Sequence, residues 1–242
     1  MSDVLVIMPA LNEEATVGDV VRAVLAQIEA DVLVVDDGSQ DSTSRRAREA
    51  GATVLSHPFN LGVGAALRSG FRYARTGRYK AVAQVDADGQ HDPTDVQALL
   101  DRLSADGADV VIGSRFANGY DVRGLRRLTM RLLSRIMSHR LRMKVTDTTS
   151  GFRAFSDRAV EVFAARYPTA YLSDTVEALI LADSEGLTIV EQPVQMHERQ
   201  GGRPSSGSVT SAFHFVRLSL VLALHRFRRP RTQKGFGHLD SD

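Results

Sequence analysis

Cysteine is missing from the 242-residue chain, which excludes disulfide bonds and thiol chemistry and fits a reducing compartment. The chain also lacks any run of 18 apolar residues, so we expect no transmembrane helix. A strand-like run, Val4–Met8, begins almost directly after the initial methionine and leaves no room for a secretory signal. These absences predict a cytoplasmic protein without a membrane span.

Net charge is also almost absent, at +1, so the chain as a whole gives no signal for a nucleic-acid partner. The charge is uneven, however, because residues 122–144 hold seven Arg, one Lys and no acidic residue. Helical spacing sorts this segment into an apolar stripe of Leu125, Leu128, Leu132 and Ile136 and a basic stripe of Arg123, Arg127, Arg131 and Arg135. The pattern predicts a basic amphipathic helix over 122–144 that lies at an anionic membrane interface, with an ordinary solvent-exposed helix as the alternative.

Short β-branched runs alternate with helical patterns in the first half of the chain. The predicted strands are Val4–Met8, Val32–Asp36, Thr53–Ser56, Ala81–Val85 and Val110–Ile112. The predicted helices are Glu14–Ile28, Ser42–Ala50, Gly64–Thr76 and Thr94–Ala105, with Asn12, Asp41 and Asp92 as cap residues for three of them. This order predicts an α/β fold in which helices cover both faces of a mostly parallel sheet.

The second half contains a turn and short strand at Thr148–Arg153 and then four more elements. We predict helices at Asp157–Ala165 and Asp174–Glu185 and strands at Thr188–Gln192 and Val194–His197. Residues 1–207 are assigned to one domain, 208–229 to a C-terminal amphipathic helix and 230–242 to a disordered tail. The C-terminal helix suits either a membrane surface or docking on protein.

Polar clusters follow four of the predicted strands directly. They are Pro9–Glu14, Asp36–Ser39, Asp86–Gln90 and Gly113–Arg115. The carboxyl ends of parallel strands meet at one edge of a sheet, which is where ligands bind in such folds. The four clusters are therefore expected to form one site.

Asp86 and Asp88 are the strongest candidates for metal binding within these clusters. If the chain stays extended after the strand, both carboxylates project to the same side, and Gln90 adds a neutral oxygen. Such oxygen ligands suit Mg²⁺ or Mn²⁺, which takes one or two carboxylates and completes its shell with phosphate and water. Taken alone, the pair would more simply be an acidic surface loop. Its position among the other polar strand ends favours the metal site.

Two further motifs allow both a structural and a functional interpretation. Asp36 and Asp37 fit a turn before Gly38, or one carboxylate accepts hydrogen bonds from a base or ribose. Asn12 and Glu13 fit a helix cap or the same ligand role. The glycine-rich stretch at 60–65 lacks the third glycine of a dinucleotide-binding loop, so it favours tight entry into a helix.

Six short motifs in order make the chain resemble the family 2 inverting glycosyltransferases, in particular the dolichyl- and polyprenyl-phosphate mannose or glucose synthases. The motifs are Pro9–Glu14, Val34–Ser39, Asn60–Ala66, Asp86–His91, Gly113–Arg115 and Ser150–Arg153, with Glu191–Val194 and Arg199 extending the match. The resemblance spans about residues 3–207. It implies a GT-A fold, a nucleotide-sugar donor, a divalent metal, and a role in cell-envelope polysaccharide synthesis.

The resemblance also implies roles for individual residues. The nucleotide would be lined by Pro9, Leu11, Glu13, Val35 and Asp37. The diphosphate and metal would be held by Asp86, Ala87, Asp88 and Gln90, with Arg115 and Arg199 on phosphate groups. Arg126 would meet the lipid phosphate, with Arg127 and Arg131 as neighbours able to substitute, and Arg153 completes the catalytic candidates.

Three departures from the family pattern concern the acceptor and the membrane. Met130 stands where relatives often have Ser, and Ser205 stands where they often have Lys, although Arg203 is near. The C-terminal membrane helices of many members are absent from the sequence. We therefore expect a peripheral enzyme at the inner face of the membrane. A small membrane-protein partner and a homo-oligomer are further hypotheses.

A soluble transferase that uses a small-molecule or polysaccharide hydroxyl is the main alternative. A lipid phosphate is already ionised near pH 7, whereas a hydroxyl acceptor needs a general base. Asp174 and Glu177 are candidates for that base, and as helix N-terminal acids they have an equally good structural explanation. A nucleotidyltransferase and a non-catalytic nucleotide-binding scaffold are weaker alternatives, since Pro9–Glu14 lacks a basic glycine-rich loop and the acidic and arginine motifs are intact.

Overall fold

One mixed sheet organises the part of the chain that the computed structural model describes, residues 2–116, 125–169 and 174–195. Side chains are described throughout these ranges except at 125–130 and 132. The strands are β1 Val4–Ala10, β2 Asp31–Asp36, β3 Thr53–Ser56, β4 Ala81–Gln84, β5 Val110–Ser114, β6 Arg153–Ser156 and β7 Ile189–Pro193. The helices are α1 Val17–Gln27, α2 Thr43–Glu49, α3 Val63–Gly77, α4 Thr94–Ala105, α5 Leu125–Leu141, α6 Asp157–Arg166 and α7 Asp174–Ser184.

The strand order is β3-β2-β1-β4-β6-β5-β7. β1 pairs in parallel with β2 and β4, whereas β6 runs antiparallel to both β4 and β5. Two successive reversals make β5 parallel to β4, and β7 is parallel to β5. The carboxyl ends of β1, β2, β4 and β5 therefore share one edge with the amino end of β6. The predicted mostly parallel α/β sheet is confirmed.

Alternation along the strands divides the hydrophobic core between the two faces of the sheet. Val6 and Met8 of β1 pack in one cluster with apolar residues of α1, α2 and α4. The opposite face carries an aromatic cluster in which Phe71 of α3 contacts Phe155, Phe163 and Tyr167 at centroid distances of 5.0–5.3 Å. Strands buried on both faces explain the nearly continuous β-branched runs in the sequence.

The helix boundaries correct all three predicted caps, because the cap positions of α1, α2 and α4 are occupied by Thr16, Ser42 and Pro93. α1 begins at Val17 rather than Glu14, and Thr16 precedes it. Asn12 adopts a left-handed conformation with φ of 55°, and its side-chain oxygen accepts a hydrogen bond from the amide of Gln40. Asn12 therefore ties the loop after β1 to the loop after β2 instead of capping the helix. Asp41 and Asp92 each lie one residue before the cap position of α2 and α4, and Asp92 accepts hydrogen bonds from the amide and hydroxyl of Thr94.

The basic helix predicted at 122–144 corresponds to α5, Leu125–Leu141. Its described core-facing residues are Leu133, Met137 and Leu141, whereas Ile136 is 39% exposed. Ile136 is the one member of the predicted apolar stripe whose side chain is described, and it does not pack on the core. The exposed side chains of α5 and the residues after it include Arg131, Arg135, His139, Arg142 and Lys144.

Besides residues 122–124 of the predicted basic helix, three predicted elements fall partly or wholly outside the described residues. Val194 and Gln195 form no strand, and residues 196–197 of that predicted strand are not described. The C-terminal helix at 208–229 and the tail at 230–242 also lie outside, so the predicted domain boundaries stay predictions. Among the helices that are described, none combines the length and the apolar character needed to cross a bilayer.

Candidate active site

The Asp86–Asp88 segment lies at the shared edge, directly after β4. The strand ends at Gln84, one residue earlier than predicted, and residues 87–88 form a turn that Gly89 completes with φ of 75°. The predicted extended chain is therefore wrong at this point. The side chain of Asp86 is 38% exposed, whereas Asp88 is buried and its Oδ1 accepts the amide proton of Gln90 at 3.0 Å.

The donor set of this turn fits a hard divalent cation that is shared with a ligand. Among the described residues, no group of three or more His, Cys, Asp or Glu side chains could enclose a metal. Mg²⁺ and Mn²⁺ do not need such a cage, because they accept one or two carboxylates together with phosphate oxygens and water. Asp86 and Asp88, with half-buried Gln90 beside them, provide a partial ligand set of that kind.

The predicted nucleotide-binding residues at the carboxyl ends of β1 and β2 differ in how exposed their side chains are. Leu11 is 38% exposed and Pro9 is half-buried, so both are accessible at the edge of the sheet. Glu13 is buried, with its carboxylate 3.3 Å from the hydroxyl of Thr16. Val35 is fully buried, so its side chain cannot line a nucleotide and the prediction for it is wrong in that respect.

Asp37 is engaged in an internal network at the edge of the sheet. Its Oδ1 accepts the amide of Leu61 at 3.0 Å and lies 2.7 Å from Nδ1 of His57, and its Oδ2 accepts the amide of Gly62 at 2.7 Å. The carboxylate thus anchors the glycine-rich stretch, in which Gly62 (φ of 95°) precedes α3. This geometry supports the helix-entry interpretation of residues 60–65. A direct contact of Asp37 with a nucleotide stays a prediction.

Arg115 follows β5 and forms a two-pronged ion pair with a buried carboxylate. Its Nε lies 2.6 Å from Oδ2 of Asp147, and its NH2 lies 3.1 Å from Oδ1 of the same residue. The hydroxyl of Thr149 accepts a further hydrogen bond from NH2 at 3.0 Å. Asp147 therefore fixes the orientation of Arg115 and offsets part of its charge, and sequence reasoning missed this partner. A phosphate contact of Arg115 stays a prediction.

A buried polar cluster lies behind Asp86, on the face of the sheet that carries α3 and α6. Arg153 opposes Gln84 across the β4–β6 ladder and is 1% exposed. Its two terminal nitrogens donate to the carbonyls of Thr148 and Thr175 at 3.2 and 3.1 Å. Asp174 at the start of α7 and Tyr167 after α6 are also buried and interact electrostatically with Arg153. Arg153, which was predicted to be catalytic, therefore lies inside the protein, behind Asp86.

The sequence contained a signal for this cluster that the prediction did not use. Gln84 ends an otherwise apolar strand, and a polar side chain at such a position needs partners on the neighbouring strand. Four of the cluster's side-chain atoms have no hydrogen-bond partner among the residues that the structure describes: Gln84 Oε1, Arg153 Nε, Tyr167 Oη and Asp174 Oδ2. Buried orphan atoms of this kind are commonly satisfied by ordered water.

Asp174 provides a pH-dependent test of this environment. Burial raises the pKa of Asp174 from 3.8 to about 6, and the nearby charge of Arg153 opposes the increase. Between about pH 4 and pH 6, the Asp174 carboxyl is therefore protonated in the folded protein and ionised in the unfolded chain. The stability contribution of Asp174 is present below about pH 4 and is lost as the pH rises through about 6.

We expect the unfolding free energy of the wild type, relative to Asp174→Asn, to fall by about 2 kcal/mol between pH 4 and pH 7. Urea unfolding of both proteins across this range measures the difference. Asp183→Asn, at an exposed position of the same helix, should show no such pH-dependent difference from the wild type. A constant difference between wild type and Asp174→Asn would contradict the assigned environment.

The remaining predicted site residues are less well placed by the structure. Glu177 is half-buried on α7, three residues after Asp174. The side chain of Arg126 on α5 and the whole of Arg199 lie outside the described part of the chain. Their predicted contacts with lipid and donor phosphates therefore stay predictions.

Known proteins resemble this chain in both sequence and fold. The family model described as Glycosyl transferase family 2 matches residues 5–163. Polyprenol monophosphomannose synthase of Mycolicibacterium smegmatis is 32% identical over 209 residues, which cover 82% of this chain and 78% of that protein. Undecaprenyl-phosphate mannosyltransferase of Micrococcus luteus is 33% identical over 229 residues, covering 86% and 90%.

A solved structure also matches the fold of the chain. It is glucosyl-3-phosphoglycerate synthase from Mycobacterium tuberculosis in complex with Mn²⁺, UDP-glucose and phosphoglyceric acid. The TM-score is 0.67 at 25% identity, and the match covers 92% of this chain and 79% of that one.

Proposed function

The chain belongs to glycosyl transferase family 2, and from this premise we propose that it transfers a hexose from a nucleotide sugar to a polyprenyl or dolichyl phosphate. The observation that carries the proposal is the Asp86–Asp88 turn at the carboxyl edge of the sheet, beside the accessible residues Pro9 and Leu11. Relatives named as polyprenyl-phosphate mannosyltransferases align with more than four fifths of the chain and support this acceptor.

Asp88, Gln90 and Asp86 are the residues that would hold Mg²⁺ or Mn²⁺ together with the donor diphosphate. When bound, such an ion neutralises the negative charge that develops on the departing nucleoside diphosphate. The family relationship and the Mn²⁺ named in the solved structure above support this assignment. Arg115, oriented by Asp147, is available to add a charge-assisted contact to the diphosphate.

The acceptor determines whether the protein must supply a base. A lipid phosphate is ionised near pH 7, so its oxygen attacks the anomeric carbon without first losing a proton. Attack opposite to the leaving group inverts the anomeric centre and gives a β-linked product from an α-linked donor. The bond from the anomeric carbon to the diphosphate oxygen breaks as the bond to the lipid phosphate oxygen forms. With this acceptor, Asp174 is not needed as a base.

An assay with a panel of donors tests the proposal directly. Purified protein is incubated with radiolabelled GDP-mannose, UDP-glucose or UDP-N-acetylglucosamine, Mg²⁺ or Mn²⁺, and a short-chain polyprenyl phosphate. We expect one labelled donor to yield a product that partitions into the organic phase and requires the divalent ion. If label never leaves the aqueous phase with any donor, the lipid acceptor is rejected.

Peripheral binding to the inner face of the membrane is the second part of the proposal. Arg131 and Arg135 are exposed on α5, and each basic residue near an anionic surface contributes about 1 kcal/mol. Changing both residues to Gln should weaken binding to phosphatidylglycerol-containing vesicles about 30-fold, as measured by co-sedimentation. The matched control is Arg45→Gln with Arg48→Gln on the exposed side of α2. Equal losses in both double variants would argue against α5 as the binding element.

A soluble acceptor with a hydroxyl group is the second candidate function. The structural match to glucosyl-3-phosphoglycerate synthase, which was solved with phosphoglyceric acid, favours it. The raised pKa of Asp174, at about 6, also lies in the range that suits a general base near neutral pH. In the assay above, a labelled product that forms only with added phosphoglyceric acid and stays in the aqueous phase would identify this function.

A further inference from the structure

His91 occupies a buried position directly beside the Asp86–Asp88 turn, and the proposed reaction assigns it no role. The residue is 4% exposed, and its Nδ1 accepts the backbone amide proton of Asp86 at 3.2 Å. Its Nε2 lies 3.8 Å from Oδ2 of the same aspartate. One imidazole ring therefore faces both the main chain and the carboxylate of Asp86.

The hydrogen bond determines where the ring carries its proton. A backbone amide can only donate, so Nδ1 of His91 must accept and the neutral ring carries its hydrogen on Nε2. The Nε2–H group then lies on the side of the Asp86 carboxylate. With Nδ1 occupied and the ring buried, His91 does not reach a substrate, and its effect must pass through Asp86.

The ring itself is held from one side by a fully buried aromatic residue. His91 stacks on Phe152 with a centroid distance of 4.6 Å and an interplanar angle of 12°. Gly151, next to Phe152, leaves room for the carboxylate of Asp86, because a β-carbon at that position would lie 2.9 Å from its Oδ2. Residues 151–152 thus support the ring and allow the carboxylate to lie close to the main chain.

A second hydrogen bond holds the adjacent peptide from α1, which lies earlier in the chain. The hydroxyl of Thr16 donates to the carbonyl of Ala87 at 2.8 Å and connects the turn to the start of α1. Two main-chain groups, the amide of Asp86 and the carbonyl of Ala87, therefore hold the turn by hydrogen bonds. Neither bond uses a side chain that is proposed to bind the metal. A site of this kind requires its ligands to be held close to their bound geometry before the ligand arrives.

We propose that His91 is a positioning residue that orients Asp86 for the donor diphosphate and its metal ion, by accepting the Asp86 amide and presenting Nε2–H toward its carboxylate. This inference rests on the proposed function. A histidine that only fills the core next to Phe152 would be replaceable by an apolar ring of similar shape. The two roles therefore predict different behaviour for substitutions that separate the shape of the ring from its nitrogen atoms.

Three variants make this separation. His91→Phe keeps the stacking surface and removes both nitrogens. His91→Asn places its side-chain oxygen near the position of Nδ1, and His91→Gln places a polar atom near Nε2 without an acceptor at Nδ1. We expect the Asp86 amide to exchange with solvent deuterium as slowly in His91→Asn as in the wild type, and at least about tenfold faster in His91→Phe and His91→Gln.

Mn²⁺ binding in the presence of UDP or GDP, measured by electron paramagnetic resonance, provides the second readout. Substitutions behind metal ligands typically weaken binding about 10- to 100-fold. We expect a loss in this range for His91→Phe and His91→Gln and a smaller loss for His91→Asn. Wild-type amide exchange and wild-type Mn²⁺ affinity in His91→Phe would overturn the proposal; if that variant does not fold, the same results in His91→Gln would do so.

The two readouts also separate this inference from the proposed function. If the wild-type protein binds no Mn²⁺ with any nucleoside diphosphate, the proposed function fails. The amide-exchange comparison of the three variants does not require the metal. It then still decides whether His91 holds the main chain of Asp86.

Discussion

Asp88→Asn should lower kcat/KM for sugar transfer about a thousandfold while leaving the fold intact. The substitution keeps the size of the side chain, and the amide oxygen can still accept the hydrogen bond from Gln90 that Asp88 Oδ1 accepts now. What it removes is the negative charge that a divalent ion requires. Several kcal/mol of transition-state stabilisation depend on such an ion, and each 1.36 kcal/mol or so corresponds to a factor of about ten in rate.

The matched control for this variant is Asp101→Asn. Asp101 is an exposed residue of α4 and accepts a hydrogen bond from Gln97 one turn earlier, away from the turn after β4. Its replacement should leave both kcat/KM and Mn²⁺ affinity at wild-type values. If Asp88→Asn transferred sugar at the wild-type rate, the assignment of Asp88 as a metal ligand would be rejected even though membership of the family stands.

Arg153→Met should destabilise the folded protein by about 3–5 kcal/mol, the cost of removing one partner from a buried charged cluster. The substitution would leave the carboxylate of Asp174 without its nearby cation and the carbonyls of Thr148 and Thr175 without their donors. For a protein of this size, the change corresponds to a fall in Tm of roughly 10 °C. Differential scanning calorimetry at pH 7 measures it.

Two further variants test whether the loss of stability comes from the buried cluster. Arg45→Met, at an exposed position of α2 paired with Glu49, should change the unfolding free energy by no more than about 0.5 kcal/mol. Adding Asp174→Asn to Arg153→Met should recover part of the lost stability, because the stranded carboxylate is then neutral. A Tm for Arg153→Met within about 2 °C of the wild-type value would contradict the buried-charge account.

The order and type of the elements up to β5 were predictable because the information is local. Alternating β-branched runs and helical periodicity lie within windows of about ten to fifteen residues, and they predicted α4 and β3 with their observed boundaries. The shared edge for the polar strand ends followed as well, since it depends only on the strands being parallel. Asp86, Asp88 and Gln90 could thus be selected from the order of residues alone.

Partners across the sheet could not be predicted in the same way. Asp37 meets the amides of Leu61 and Gly62, and Arg115 meets Asp147, over separations of 24 to 32 residues along the chain. Which donor reaches which carboxylate depends on how the intervening loops close. A residue predicted to contact a ligand can thus already have a partner in the protein, as Asp37 and Arg115 do.

By itself, the sequence determined the family, the α/β class and the place of the acidic segment after β4, because each of these depends on short contiguous segments. The turn within that segment came from the structure. Only the tertiary structure decided that β6 inserts antiparallel between β4 and β5, which sets Arg153 opposite Gln84 and behind Asp86. It also decided that His91 lies on Phe152, from a distant part of the chain. The reason is physical: strand register and ring stacking are properties of surfaces brought together by folding, and no local pattern of residues specifies them.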